Sequence, residues 1–130
     1  MKDFVKKIEE LSSLCEDKKA EKVLRKLLAK HPTDIYCLSQ LAGALLFQRK
    51  YDEALSYIQK AEAIMPLFPL VIYYKGKILL GTYKAKESIV CWNHIVNMNI
   101  EDNIFYDYNI NSRKIKSLKN DALFYKAICC

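Results

Sequence analysis

A chain of 130 residues, 52% apolar and 28% charged, has the size and composition of one folded domain and excludes a disordered polymer. Three glycines and three prolines are too few for the turns of an all-β fold, so helices are favoured. The formal charge of +6 would suit nucleic acid or an acidic membrane, but the cations alternate with acids in KKIEE and EDKKAEK, as on solvated helix faces, which argues against both.

In chain order, the first predicted helix is striped by Phe4, Ile8 and Leu11, and the second by Ala20, Leu24 and Leu27. Pro32 closes the second helix, and Thr33 and Asp34 are caps for the third, which carries Leu38, Leu41, Ala42 and Leu45 at i, i+3, i+4 and i+7. FQRK turns the chain into a fourth helix striped by Tyr51, Ala54, Ile58 and Ala61 and ended by Pro66. Ile72, Gly76 and Leu79 mark the fifth, and Ser88, Trp92 and Ile95 the sixth. Beyond residue 102, EDNIFYDYNINSRKIKSLK has a helical cast but no match to the earlier stripes. ALFYKAICC then echoes VIYYKGKIL, setting Leu123 on Ile72, Tyr125 on Tyr74, Lys126 on Lys75 and Ala127 on Gly76. This last stretch reads as a capping helix or as the start of a further unit.

These stripes recur at a spacing of 34: Pro66 on Pro32, Ala54 on Ala20, Gly76 on Ala42, Trp92 on Ile58. Gapless copies cover residues 1–34, 35–68 and 69–102, about 100 of 130 residues. The second copy, DIYCLSQLAGALLFQRKYDEALSYIQKAEAIMP, resembles the tetratricopeptide repeat through Leu38, Leu41, Ala42, Leu45, Tyr51, Ala54, Ile58, Ala61 and Pro66. The third departs from that pattern, with Ser88 in place of alanine and Ile100 in place of the closing proline. The resemblance implies a single all-α domain over residues 1–130, a superhelical stack of three antiparallel helix pairs with a C-terminal helical segment at 103–130.

The resemblance also implies a non-catalytic protein-interaction module, an adaptor or chaperone that holds a protein or peptide segment in a concave groove. The first helix of each pair lines that groove. The implied lining is Tyr36, Ser39, Gly43, Leu46 and Phe47 from the second copy, with Leu70, Tyr73, Lys77, Leu80 and Gly81 from the third. The clamp by which some family members hold a chaperone's terminal carboxylate is excluded, because Val5, Glu9, Gln40, Leu70 and Tyr74 stand where its cationic and amide residues would be. An immunity protein that neutralises a bacterial toxin and a basic repeat that binds RNA are the alternatives. Self-association through the C-terminal helix, with Cys129 and Cys130 at its tip, is a third outcome.

No catalytic constellation is present. The adjacent carboxylates Glu9–Glu10 and Asp52–Glu53 do not face each other on a helix, and the three glycines form no phosphate loop. Cys91 and His94 are close enough in sequence to meet on a helix, although packing is the expected role of Cys91. His31 and His94 lack metal-ligand spacing, and neither metal nor cofactor is expected. The five cysteines form no framework and MKDFVKKIEE has no signal-like core, so a reducing cytoplasm is the expected compartment. The longest apolar run, AIMPLFPLVIYY, is broken by two prolines and is too short to span a bilayer.

Overall fold

The computed structural model describes residues 2–99, 105 and 108–129. Among them it contains seven α-helices: α1 (Lys2–Ser13), α2 (Asp17–Lys30), α3 (Ile35–Phe47), α4 (Tyr51–Ile64), α5 (Pro69–Gly81), α6 (Ala85–Val96) and α7 (Ser112–Cys129). The connections up to α6 are only a few residues long, which forces each helix to fold back beside its predecessor. Every helix packs on the next in sequence. In addition α3 lies beside α5 and α5 beside α7, whereas the backbones of α2 and α4, and of α4 and α6, do not approach as closely. Helices α3, α5 and α7 therefore form the closer, inner layer of an all-α helical stack.

The spacing of 34 is written into the backbone as well as the side chains. Cys15, Arg49 and Tyr83 adopt left-handed φ values of 57°, 62° and 64°. After each, the next amide reaches back across the turn: Glu16 to Leu11 O, Lys50 to Leu45 O and Lys84 to Leu79 O, at 2.9, 2.9 and 2.8 Å. This is the wrapped helix end that glycine usually provides, built here three times without glycine. The opposite connections match too, with His31 N donating to Leu27 O and Met65 N to Ala61 O. Asp34 caps α3 through its side chain, which accepts from Cys37 N at 2.9 Å. Pro69 opens α5 at its first turn, where a missing N–H costs nothing.

Most positions of the predicted stripes are core: Ile8, Ala20, Leu24, Leu38, Leu41, Ala42, Leu45, Ala54, Ile58 and Ala61 are buried, as are Ser88, Trp92 and Ile95. Phe4, Leu11, Leu27, Tyr51 and Leu79 are partly buried and pack against it. Helix α3 is buried from Ile35 to Leu46, a central helix enclosed on all sides and not a two-faced surface helix. The small residues serve close approach. Where the second pair has Ala42 and Ile58, the third has Gly76 and Trp92, and a methyl group on Gly76 would lie 2.8 Å from the Trp92 ring. The larger ring is accommodated by the smaller partner, so volume is conserved between repeats.

The C-terminal helical segment contains one continuous helix from Ser112 that runs through the ALFYKAIC echo. Asn111 Oδ1 caps its start by accepting from Lys114 N at 2.8 Å. Ile115, Leu118 and Ala122 pack it onto the stack. Ile100, where the closing proline would fall, and Cys130 lie outside the described residues.

Candidate functional site

The implied groove residues are divided between packing and surface. Tyr36, Ser39, Gly43, Leu46 and Tyr73 are buried, with exposures of 8% or less for the four that carry side chains. Leu70 is also buried, and Gly81 is half-buried against the Tyr51 ring. Phe47 is 48% exposed, and Lys77 and Leu80 are half-buried. Three positions thus remain open to a partner: Phe47 at the end of α3, and Lys77 with Leu80 one turn further along α5.

Aromatic rings cover the implied lining at Gly43 and Tyr73. The Tyr74 ring occupies the notch at Gly43, where a methyl group would sit 2.6 Å from a ring carbon. Its hydroxyl donates to Gln40 Oε1 at 3.0 Å, and its ring meets Phe47 edge-on at 6.3 Å and Tyr73 at 5.4 Å. Ser39, which lacked room for any partner-facing role, donates to Ile35 O at 2.8 Å within its own helix. Tyr36 is enclosed, and its hydroxyl has no hydrogen-bond partner among the described residues.

Helix α7 closes the third-repeat end. Tyr73 donates to Asp121 Oδ2 at 3.0 Å, and Lys77 Nζ donates to Tyr125 Oη at 2.9 Å. Lys77 Nζ also stands 4.9 Å from the ring centres of Phe47 and Tyr125 and 5.9 Å from that of Tyr73. Tyr125 stacks on Trp92 at 5.0 Å with an interplanar angle of 26°. One lysine therefore joins α3, α5 and α7 through three rings. A cation over a ring contributes about 0.5–1 kcal/mol at exposed sites and about 2 when desolvated. The sequence echo marked this arrangement, because Tyr125 meets position 77 as Tyr74 meets position 43, one repeat earlier.

Burial raises the pKa of three ring hydroxyls. Tyr36 and Tyr74 are held above the ordinary tyrosine value chiefly by burial, and Tyr73 by burial together with the Asp121 carboxylate it faces. The Cys37 thiol, buried in α3, is pushed up to about 12 by burial and then by Asp34. Cys91 is likewise raised, first by burial, and is buried, while His94 is exposed. These are the environments of packed thiols and not of activated ones.

Away from the α3–α5–α7 layer, Arg25 joins α2 to α4. Its guanidinium meets Glu21 at 2.8 Å, Glu53 at 2.9 Å and the Tyr57 hydroxyl at 3.1 Å. Lys75 pairs with Glu62 at 2.8 Å between α5 and α4. Such partly exposed pairs are worth about 0–1 kcal/mol each. They fix register more than they add stability.

Among the described residues no group of three or more His, Cys, Asp and Glu is placed to hold a metal ion, and no helix is long and apolar enough to cross a membrane. Compared with known proteins, the chain matches no family model, no curated protein and no solved structure. The class that can be stated is an all-α helical stack built from repeated helix pairs, with neighbouring helices in contact throughout.

Proposed function

We propose that this chain is a tetratricopeptide-like, non-catalytic interaction module that binds a segment of another protein along its concave layer, as an adaptor or chaperone. The observation that carries the reading is Phe47, a large apolar side chain 48% exposed on the inner layer, with Lys77 beside its ring and Leu80 a turn away. A partner segment with an apolar side chain for Phe47 and Leu80, and a carboxylate or carbonyl for Lys77, fits that strip. The rigid rings behind it reduce the ordering cost on this side of the complex. The high thiol pKa values and the separation of burial between Cys91 and His94 favour binding over catalysis.

The test is capture of partners from lysate of the native source by wild type and by Phe47→Glu. Phe47 is the right probe because a glutamate there faces water, whereas Tyr73→Glu would bury a charge next to Asp121. The expected result is a partner held by wild type and lost from a Phe47→Glu variant of unchanged helicity. The same partner on both proteins would move the site off the concave strip.

A further inference from the structure

The outward face of α7 is an unpartnered surface of mixed character. At 100° per residue, Arg113, Lys116, Leu123, Phe124, Ala127 and Ile128 fall on one side of the helix, opposite the buried Ile115, Leu118 and Ala122. All six are exposed, with Leu123, Phe124 and Ile128 at 53%, 63% and 55%. The face is therefore basic over its first turns and apolar over its last.

The chain contains its own precedent for covering such a surface. ALFYKAIC repeats VIYYKGKI of α5, so Leu123, Phe124 and Ala127 stand where α5 has Ile72, Tyr73 and Gly76. Those three residues of α5 are buried, and Gly76 lies beneath the Trp92 ring of α6. No helix among the described residues covers the same positions on α7.

Charge selects the occupant. Helix α7 carries five lysines and arginines against one acid, Asp121, and that acid already accepts from Tyr73. Arg113 and Lys116 form no ion pair among the described residues. A second copy is a poor complement: antiparallel faces would set Arg113 and Lys116 against Phe124 and Ile128, and parallel faces would set cation on cation. Nucleic acid would answer the basic end and leave the apolar end in water.

We propose that this face docks an amphipathic helix of a partner protein, apolar against Leu123, Phe124, Ala127 and Ile128 and acidic where it passes Arg113 and Lys116. The site is separate from the concave strip and does not depend on it.

The experiment uses the full chain and synthetic amphipathic peptides of about 18 residues, long enough to hold a helix. Each has leucines at i, i+3, i+4 and i+7 and glutamates clustered at one end or the other, and lysine-for-glutamate versions serve as controls. Binding is read by fluorescence anisotropy. One of the glutamate peptides should bind about tenfold or more tighter than its lysine counterpart. Phe124→Asp should weaken it about tenfold, the loss of a central apolar anchor. Arg113→Glu with Lys116→Glu should invert the charge preference, and Phe47→Glu should leave affinity unchanged. Phe124 is exposed, so its variant should keep the helical circular dichroism spectrum. Should it not, the charge-reversed pair supplies the decision. Equal binding of glutamate and lysine peptides, no binding by either glutamate peptide, or an unchanged affinity in the charge-reversed pair would overturn the proposal. So would a mass that rises with concentration in wild type and not in Phe124→Asp, which would give the face to a second copy. Displacement of the bound peptide by poly(U) at equal affinity would give it to nucleic acid.

Discussion

Gly43 shows how one missing methyl group organises the packing of α3 against α5. The Tyr74 ring sits in its notch, is buried, and is fixed by the hydrogen bond to Gln40, so the ring cannot give way to a Cβ at 2.6 Å. Alanine would gain about 1 kcal/mol of helix propensity. The forced overlap costs about 1–3 kcal/mol. Gly43→Ala should therefore lower stability by about 1 kcal/mol, measured by urea denaturation. The buried tyrosines set a pH limit in the same region. Tyr36, Tyr73 and Tyr74 have folded pKa values above the unfolded value of about 10. The fold favours their protonated forms, so that contribution is whole below about pH 10 and falls away as pH rises beyond it. Spectrophotometric titration should show tyrosinate absorbance from these rings only together with loss of helical signal. Burial also separates the thiols. Cys15 is exposed and Cys37 is buried with its thiol at about 12, so iodoacetamide at pH 8 should label Cys15 well before Cys37.

At the scale of elements, the turns and the final helix carry the testable weight. Tyr83 holds a left-handed φ of 64° and is 96% exposed, so its side chain contributes little packing to offset that conformation. A left-handed non-glycine residue costs about 1–2 kcal/mol, and glycine returns part of that in unfolded-state entropy. Tyr83→Gly should raise stability by about 0.5 kcal/mol in the same urea assay. Lys77 ties α7 to the stack through Tyr125, Phe47 and Tyr73. Lys77→Met keeps the stem and removes the cation. It should cost about 1 kcal/mol and speed amide exchange in α7 relative to α3, as seen by hydrogen–deuterium exchange. Helix positions and stripes were legible from the period alone, because a stacked pair must bury the same positions each time. The left-handed residues were not, since Cys15, Arg49 and Tyr83 give no glycine signal and only their spacing of 34 marks them. The start of α7 was hidden as well: Ile115 and Leu118 bury against the stack from a stretch rich in lysine and asparagine that matches no repeat position.

For the whole molecule, the inner layer is narrower than the repeat pattern implied. Sequence spacing identifies which positions of a first helix face inward, but it is silent on whether a neighbouring ring already fills that space. Tyr36, Ser39, Gly43, Leu46 and Tyr73 face inward and are covered, by Tyr74 at Gly43 and by α7 at Tyr73. Phe47, Lys77 and Leu80 keep solvent access, and the proposed partner would meet these three. The most direct measurement places a photo-crosslinking amino acid at position 47 in cells of the native source. An equivalent protein carries it at Lys22, exposed on α2. Binding along this strip should give a discrete crosslinked product with another protein from position 47 and none from position 22. Equal products from both positions, or none from position 47, would contradict the claim that the concave strip binds a partner.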